Sequence, residues 1–165
     1  MQPIQRVAVV GAGNMGSGIA QKSAQEEFDV QMVDREAQWV ERGQSIITNF
    51  LSEAVERRIF SPQQVEDIQG RITGVIGVEE TATDTDLVIE AVFEELEIKQ
   101  QVFAKIEEHV SEDCILATNT SSLSVEAIGS KLKHPGRVVG FHFFNPVAVM
   151  PLVEVVRAPN SSEES

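Results

Sequence analysis

The sequence predicts a doubly wound α/β fold: a mostly parallel sheet with helices on both faces and a helical hairpin inserted after the second strand. Three observations carry this. A β-branched run, Val7 to Val10, leads directly into Gly11-x-Gly13-x-x-Gly16 and then into a helix-competent stretch. A second strand-like run, Val30 to Val33, ends in Asp34, 18 residues after Gly16. Beyond these, short apolar segments alternate with amphipathic helical patterns along the chain, the pattern of βαβ units. Strand, glycine turn, helix and terminal acid together form the fingerprint of a dinucleotide site, where bare glycines would mark only a turn. The first glycine permits a tight turn, the second lets backbone approach a diphosphate, and the third lets the helix pack against the strand. Unpaired amides at the helix start then face the phosphates. Asp34 is placed to accept from a ribose diol and to repel a 2′-phosphate, which favours NAD over NADP, with Arg35 beside it as the opposing charge.

The first helix is expected from Ser17 to about Glu26, with the small face Ile19, Ala20, Ser23 and Ala24 suited to close packing on a sheet. After Asp34, Val40, Gly43, Ile47, Phe50, Leu51, Ala54 and Val55 follow helical spacing over more length than an ordinary crossover helix needs. Ser61-Pro62-Gln63-Gln64 reads as a new helix start, with Ser61 as N-cap, Pro62 at the first helical position and Gln64 closing a capping box. The two helices are expected to form an antiparallel hairpin. Arg57 and Arg58 sit at the end of its first arm, either as a solvated helix end favoured by the macrodipole or as contacts to a phosphate-bearing substrate.

Arg71 to Gly74 reads as a short strand, and Leu87 to Val92 as a buried parallel one preceded by a loop holding Asp84 and Asp86. Glu95 to Val110 carries Leu96, Ile98, Val102, Phe103, Ile106 and Val110 at amphipathic helical spacing. Cys114 to Thr118 is the fifth strand. Asn119-Thr120-Ser121-Ser122 then lie at its carboxyl end, where open α/β sheets place ligands, although they could equally cap the short helix expected from Val125 to Gly129. Val138 to Phe143 is the sixth strand, stopped by Pro146, and Leu152 to Val156 is a further β-rich segment interrupted by Glu154.

A composition of 42% hydrophobic and 24% charged residues is that of a globular domain and argues against disorder or a fibre. The net charge of −13 argues against nucleic acid or an anionic membrane surface as partner, since both require clustered cations. No apolar run approaches the length of a membrane span, and the first strand follows Met1 too soon for a signal peptide, so a cytoplasmic location is expected. The single cysteine, Cys114, cannot form an intrachain disulfide or a cysteine-rich metal site and is expected in the core; no metal is expected.

Ser121, His142 and Glu154 each interrupt or end an apolar strand. Glu154, expected to be buried, follows His142 by twelve residues across a Pro-containing turn, so adjacent strands can place the two side by side. A carboxylate accepting from one imidazole nitrogen fixes the tautomer and leaves the other nitrogen free to take a proton. An alcohol oxidised by NAD must lose such a proton, and Ser121 could hold the same oxygen. A Ser-His-Glu hydrolase uses the same residue types, but the G-x-S-x-G nucleophile elbow is missing.

From Gln5 to Ala158 the sequence resembles the 3-hydroxyacyl-CoA dehydrogenase family. The matching blocks are Gly11-Ala-Gly-Asn-Met-Gly-Ser-Gly-Ile-Ala20, Val88-Ile-Glu-Ala-Val-Phe-Glu94 with Lys99, Ala117-Thr-Asn-Thr-Ser-Ser-Leu-Ser124, and Gly140-Phe-His-Phe-Phe-Asn-Pro-Val147 through Met150 to Leu152-Val-Glu-Val-Val156. The resemblance implies a Rossmann sheet binding NAD through Gly11, Gly13, Asn14, Met15, Gly16 and Asp34, with Glu94, Lys99 and Asn119 lining the nicotinamide half. It implies His142 as base, Glu154 as its partner, and Ser121 and Asn145 as polar groups near the reacting end of the substrate. The hairpin is where the family holds part of CoA, which brings Arg57 and Arg58 into the substrate site.

The implied reaction is reversible oxidation of an L-3-hydroxyacyl-CoA, such as 3-hydroxybutyryl-CoA, to the 3-ketoacyl-CoA, as in fatty acid β-oxidation. A related hydroxy-acid or sugar-acid dehydrogenase and a non-catalytic dinucleotide-binding protein are the alternatives. Family members continue into a helical C-terminal domain that completes the acyl pocket and forms a homodimer. Residues 1–165 are therefore expected to be the cofactor domain alone, inactive or nearly so in isolation, with the Ser/Glu-rich end from Ser161 to Ser165 suited to start another helix.

Overall fold

The computed structural model describes residues 3–162; the end of the expected C-terminal helix start, residues 163–165, lies outside them. Twelve regular elements follow in the order β1 (Arg6–Val10), α1 (Asn14–Gln25), β2 (Asp29–Asp34), α2 (Ala37–Glu56), α3 (Pro62–Gly70), β3 (Ile72–Ile76), β4 (Leu87–Glu90), α4 (Leu96–Glu107), β5 (Ile115–Thr118), α5 (Val125–Gly129), β6 (Val138–Phe143) and β7 (Val153–Arg157). Short 3₁₀ turns at Val78–Glu80 and Pro135–Arg137 lie outside the expected elements.

The strands form one sheet in the order β3-β2-β1-β4-β5-β6-β7, parallel except for the β6–β7 pair. The chain therefore starts at the centre, winds outward to β3, and returns to β4 beside β1 before winding the other way. That reversal leaves a crevice at the carboxyl ends of β1 and β4, where Val10 and Glu90 are in register. Two-residue alternation sends the strands' side chains into two cores. Val7, Val9, Val30, Met32, Ile89, Ala117 and Val139 meet Ile19, Ala20 and Leu51 of α1 and α2. Ala8, Val10, Val33, Val88, Leu116 and Val138 meet Phe103, Ile106 and Ile128 of α4 and α5.

Two expectations about elements need correction. Helix α1 begins at Asn14, three residues earlier than Ser17, because Gly13 is already its N-cap and Ser17 N donates back to Gly13 O at 2.8 Å. Strand β4 ends at Glu90, two residues before Val92, because the Glu90 carboxylate accepts from Val92 N at 2.7 Å and turns the backbone out of the ladder. Strand β7 runs antiparallel because the loop from β6 is too short to hold the crossover that a parallel return requires.

The hairpin forms as expected at its turn, where Ser61 Oγ accepts from Gln64 N and Gln64 Oε1 accepts from Ser61 N. Its first arm is anchored on the sheet: a Cβ at Gly43 would meet Ala12 O at 2.8 Å and Met32 Cε at 2.9 Å. Only the distal end, with exposed Arg57, Arg58 and Ile59, stands clear of the core.

Candidate active site at the carboxyl edge of the sheet

Between β1 and α1 the backbone does what the glycine spacing demands. Gly11 has φ +105°, a conformation that L side chains rarely adopt, and a Cβ there would meet Ala91 O of the neighbouring strand's end at 2.7 Å. A Cβ at Gly16 would collide with the carbonyl oxygen of Gly11. At Gly13 an added Cβ would meet nothing within 4 Å, so the loop presents bare backbone to an open space.

The amides of Asn14, Met15 and Gly16 find no acceptor among the described residues, the N-cap is a glycine with no side-chain bond, and the first turn of α1 carries no acid. Unpaired donors, the positive end of a twelve-residue helix and open space fit a diphosphate. At the end of β2, Asp34 Oδ2 accepts from Ala12 N and Oδ1 from Arg35 N, both at 2.8 Å, which fixes the carboxylate beside the loop. Arg35, whose charge opposes the choice of a 2′-hydroxyl, has its Nε 3.2 Å from Glu36 Oε1.

On the other side of the loop, the carboxyl ends of β4 and β5 are joined by a polar network. Glu94 Oε1 accepts from the amides of Ser121 at 3.0 Å and Ser122 at 3.3 Å and from the Thr120 hydroxyl, while Lys99 Nζ lies 3.2 Å from Oε2. Burial alone would raise the Glu94 carboxyl, but the hydrogen bonds from Thr120 and Lys99, the Lys99 charge and the Ser121 amide outweigh it and hold the group below the usual carboxylate range. Lys99 is 1% exposed and lies beneath the surface of the site, paired also with the buried Glu90 at 2.7 Å. Asn119 Oδ1 accepts from Phe143 N at 2.8 Å, so the β5 loop is tied to the end of β6 next to His142.

His142 and Glu154 are directly paired across β6 and β7, and His142 Nδ1 lies 3.0 Å from Glu154 Oε2. Glu154 is not the buried carboxylate expected from its apolar surroundings: its side chain is 53% exposed against 22% for His142. It stands on the sheet's edge strand, next to the apolar and largely uncovered Val149, Met150, Leu152, Val155 and Val156.

Residues 6–165 match the sequence profile described as "3-hydroxyacyl-CoA dehydrogenase, NAD binding domain". The chain belongs to the 3-hydroxyacyl-CoA dehydrogenase family. Its cofactor is NAD, and the glycine loop and Asp34 described above fit that dinucleotide. The fatty acid oxidation complex subunit alpha of Acinetobacter baumannii (strain SDF) is 40% identical over 163 residues; these are 99% of this chain and 23% of the relative's length. Among solved structures, M. tuberculosis FadB2 superposes with a TM-score of 0.95 at 38% identity, covering 99% of this chain and 57% of that one. The 3-hydroxybutyryl-CoA dehydrogenase of Escherichia coli K12 superposes with a TM-score of 0.94 at 39% identity, covering 99% of this chain and 34% of that one.

Within this 3-hydroxyacyl-CoA dehydrogenase domain, the residues singled out from the sequence, Arg57 and Arg58 excepted, fall along one edge of the sheet, at the carboxyl ends of β1, β2, β4, β5 and β6 and the start of β7. Asn145 lies in the exposed turn after β6, and Ser121 is exposed in the loop after β5. Arg57 and Arg58 stand apart from this edge at the far end of α2, where Arg57 pairs with Glu53 at 3.5 Å.

Two members of the polar network at the ends of β4 and β5, Glu90 and Thr118, are not among the residues singled out from the sequence. Glu90 is the one charge in a run otherwise read as continuous and apolar, and that interruption was the available signal. Cys114 is 1% exposed in the core, as expected, and burial pushes its thiol up to about 12. Among the described residues, no cluster of potential metal ligands occurs and no helix is long and apolar enough to cross a membrane. A recess lined by Arg6, Asp29, Arg71 and Asp84 lies at the opposite, amino-terminal end of the sheet, with Arg6 already paired to Asp84 and Arg71 to Asp29.

Proposed function

We propose that this chain is the cofactor domain of an enzyme that oxidises L-3-hydroxyacyl-CoA thioesters to 3-ketoacyl-CoA, with the reverse reduction equally available. The observation that carries the reading is the His142–Glu154 pair, 3.0 Å apart at the carboxyl edge of a sheet whose other end of the same edge fits a dinucleotide. When bound, NAD+ supplies the hydride acceptor. With Nδ1 held by Glu154, His142 takes the hydroxyl proton on Nε2 as the carbonyl forms, and the carboxylate stabilises the resulting imidazolium. Ser121 and Asn145 hydrogen-bond the same oxygen and hold it in line. Gly11, Gly13, Asn14, Met15 and Gly16 would hold the diphosphate, and Asp34 would accept from the adenosine ribose and select against a 2′-phosphate. Glu94 and Asn119 border the nicotinamide half, with Lys99 acting from beneath through Glu94.

The chain spans about a quarter of the curated relative's length, and we assign completion of the acyl pocket and a homodimer contact to a further, helical domain. The exposed apolar strip from Val149 to Val156 supports such a covering partner. Arg57 and Arg58 at the hairpin tip take part of the CoA moiety. The test is oxidation of L-3-hydroxybutyryl-CoA by the full-length protein with NAD+, with competition by acetoacetyl-CoA and by free acetoacetate. Competition by the thioester alone supports the reading. Equal competition by acetoacetate makes the enzyme a free hydroxy-acid dehydrogenase, and NADH binding without any oxidation makes the chain a non-catalytic dinucleotide binder.

A further inference from the structure

Beneath the β4–β5 end of the site lies a charge cluster that the proposed reaction does not itself call for. Glu90 is fully buried, and both of its oxygens are occupied: Oε1 accepts from Val92 N and from Lys99 Nζ, each at 2.7 Å, and Oε2 from Thr118 Oγ1 at 2.7 Å. Lys99, also buried, touches two carboxylates, Glu90 from below and Glu94 from above. One ammonium between two carboxylates leaves the cluster one negative charge in excess. The second acid therefore has a consequence beyond neutralising Lys99. Glu90 cancels the Lys99 charge within the core, and Glu94, 38% exposed at the rim, keeps a full negative charge.

We propose that Glu90 is a positioning residue that tunes the site for the oxidised cofactor: by neutralising Lys99 it leaves the cluster with one net negative charge, carried by Glu94 beside the nicotinamide. This rests on the placement of the nicotinamide under Proposed function. The glycine loop holds the diphosphate and Asp34 holds the adenosine side, so the rest of the dinucleotide extends over β4 and β5, toward Glu94. The oxidised ring is a cation and the reduced ring is neutral, so a fixed anion at that edge favours the oxidised form without touching the adenosine half. Thr120, Ser121 and Ser122 all donate to Glu94 Oε1 and hold the charge in place. At partly exposed separations such a charge corresponds to about three- to tenfold in a binding ratio.

Titration of the 165-residue chain with NAD+, NADH and ADP-ribose tests this. Glu90→Gln brings the cluster to zero net charge. It should weaken NAD+ relative to NADH by about three- to tenfold and leave ADP-ribose within twofold of the unmodified chain. Glu90→Gln/Lys99→Met removes both buried charges and restores one net negative charge, so the NAD+/NADH ratio should return to that of the unmodified chain. A merely structural defect would weaken all three ligands together and would not be rescued by a second core substitution.

An unchanged ratio in Glu90→Gln, or a ratio that stays low in the double variant, overturns the proposal while leaving the cofactor site intact. If Glu90→Gln does not fold, the double variant carries the test, and a ratio several-fold below the unmodified chain overturns the proposal. Failure of the unmodified chain to bind NADH or ADP-ribose removes the cofactor reading itself, and the proposal with it.

Discussion

His142 and Glu154 face each other as register partners on antiparallel strands, with Nδ1 and Oε2 3.0 Å apart. Because the ladder fixes the two backbones, the carboxylate can orient the imidazole without any loop having to close. In the full-length enzyme, Glu154→Gln should lower turnover by roughly 10²-fold or more, the scale typical of losing general acid–base assistance, while NADH affinity stays within twofold. Steady-state rates beside an NADH titration make the comparison, and a parallel loss of both would assign the pair a structural role.

Asp34 is fixed by the amides of Ala12 and Arg35, so its remaining acceptor capacity is already aimed before a ligand arrives. NADH should bind more tightly than NADPH, and Asp34→Ala should weaken NADH while narrowing the preference. Fluorescence titration of both cofactors checks this, and equal affinities in the unmodified chain would rule it out.

Gly13 and Gly16 should respond to alanine in opposite ways. At Gly13 the added methyl has space in the protein but occupies the open region over the helix start, so the Gly13→Ala variant should keep its thermal midpoint and lose NADH affinity at least tenfold. At Gly16 the methyl collides with the carbonyl of Gly11, and that variant should lose stability by about 2 kcal/mol or more, as overpacking against rigid backbone does. Thermal melts with and without NADH separate the two.

Cys114 should resist alkylation in the folded chain at pH 8, because burial pushes its thiol up to about 12 and almost no thiolate is present. Iodoacetamide labelling followed by mass spectrometry should show modification only once denaturant unfolds the domain. Rapid labelling under native conditions would place Cys114 at the surface.

The isolated chain should bind NADH but reduce acetoacetyl-CoA at least a hundredfold more slowly than the full-length enzyme. Glu154 and the strip from Val149 to Val156 are open to water, and a misplaced acceptor carbon can cost on the order of a hundredfold. NADH consumption assays decide the matter, and full turnover by this chain would make the sheet domain a complete catalyst.

Local chemistry made much of this protein readable from its residues in order. The glycine loop, the acid ending β2, the Ser61 capping box and the α2 stripe depend on backbone sterics and side-chain periodicity within a few residues, and these survive as patterns in the chain. The side-by-side placement of His142 and Glu154 was also accessible, because a short turn between two strand-like runs leaves few ways to pair them. Only the tertiary structure decided what depends on neighbours far apart in sequence. It made β7 an antiparallel edge strand, and so left Glu154 exposed where an apolar setting suggested burial. It also brought Thr118 and Lys99 onto opposite sides of Glu90, turning one stray acid in an apolar run into the centre of a buried charge network. Burial is set by which elements come to cover a residue, and charge balance by which partners the fold brings within bonding distance; neither is a property of the local sequence.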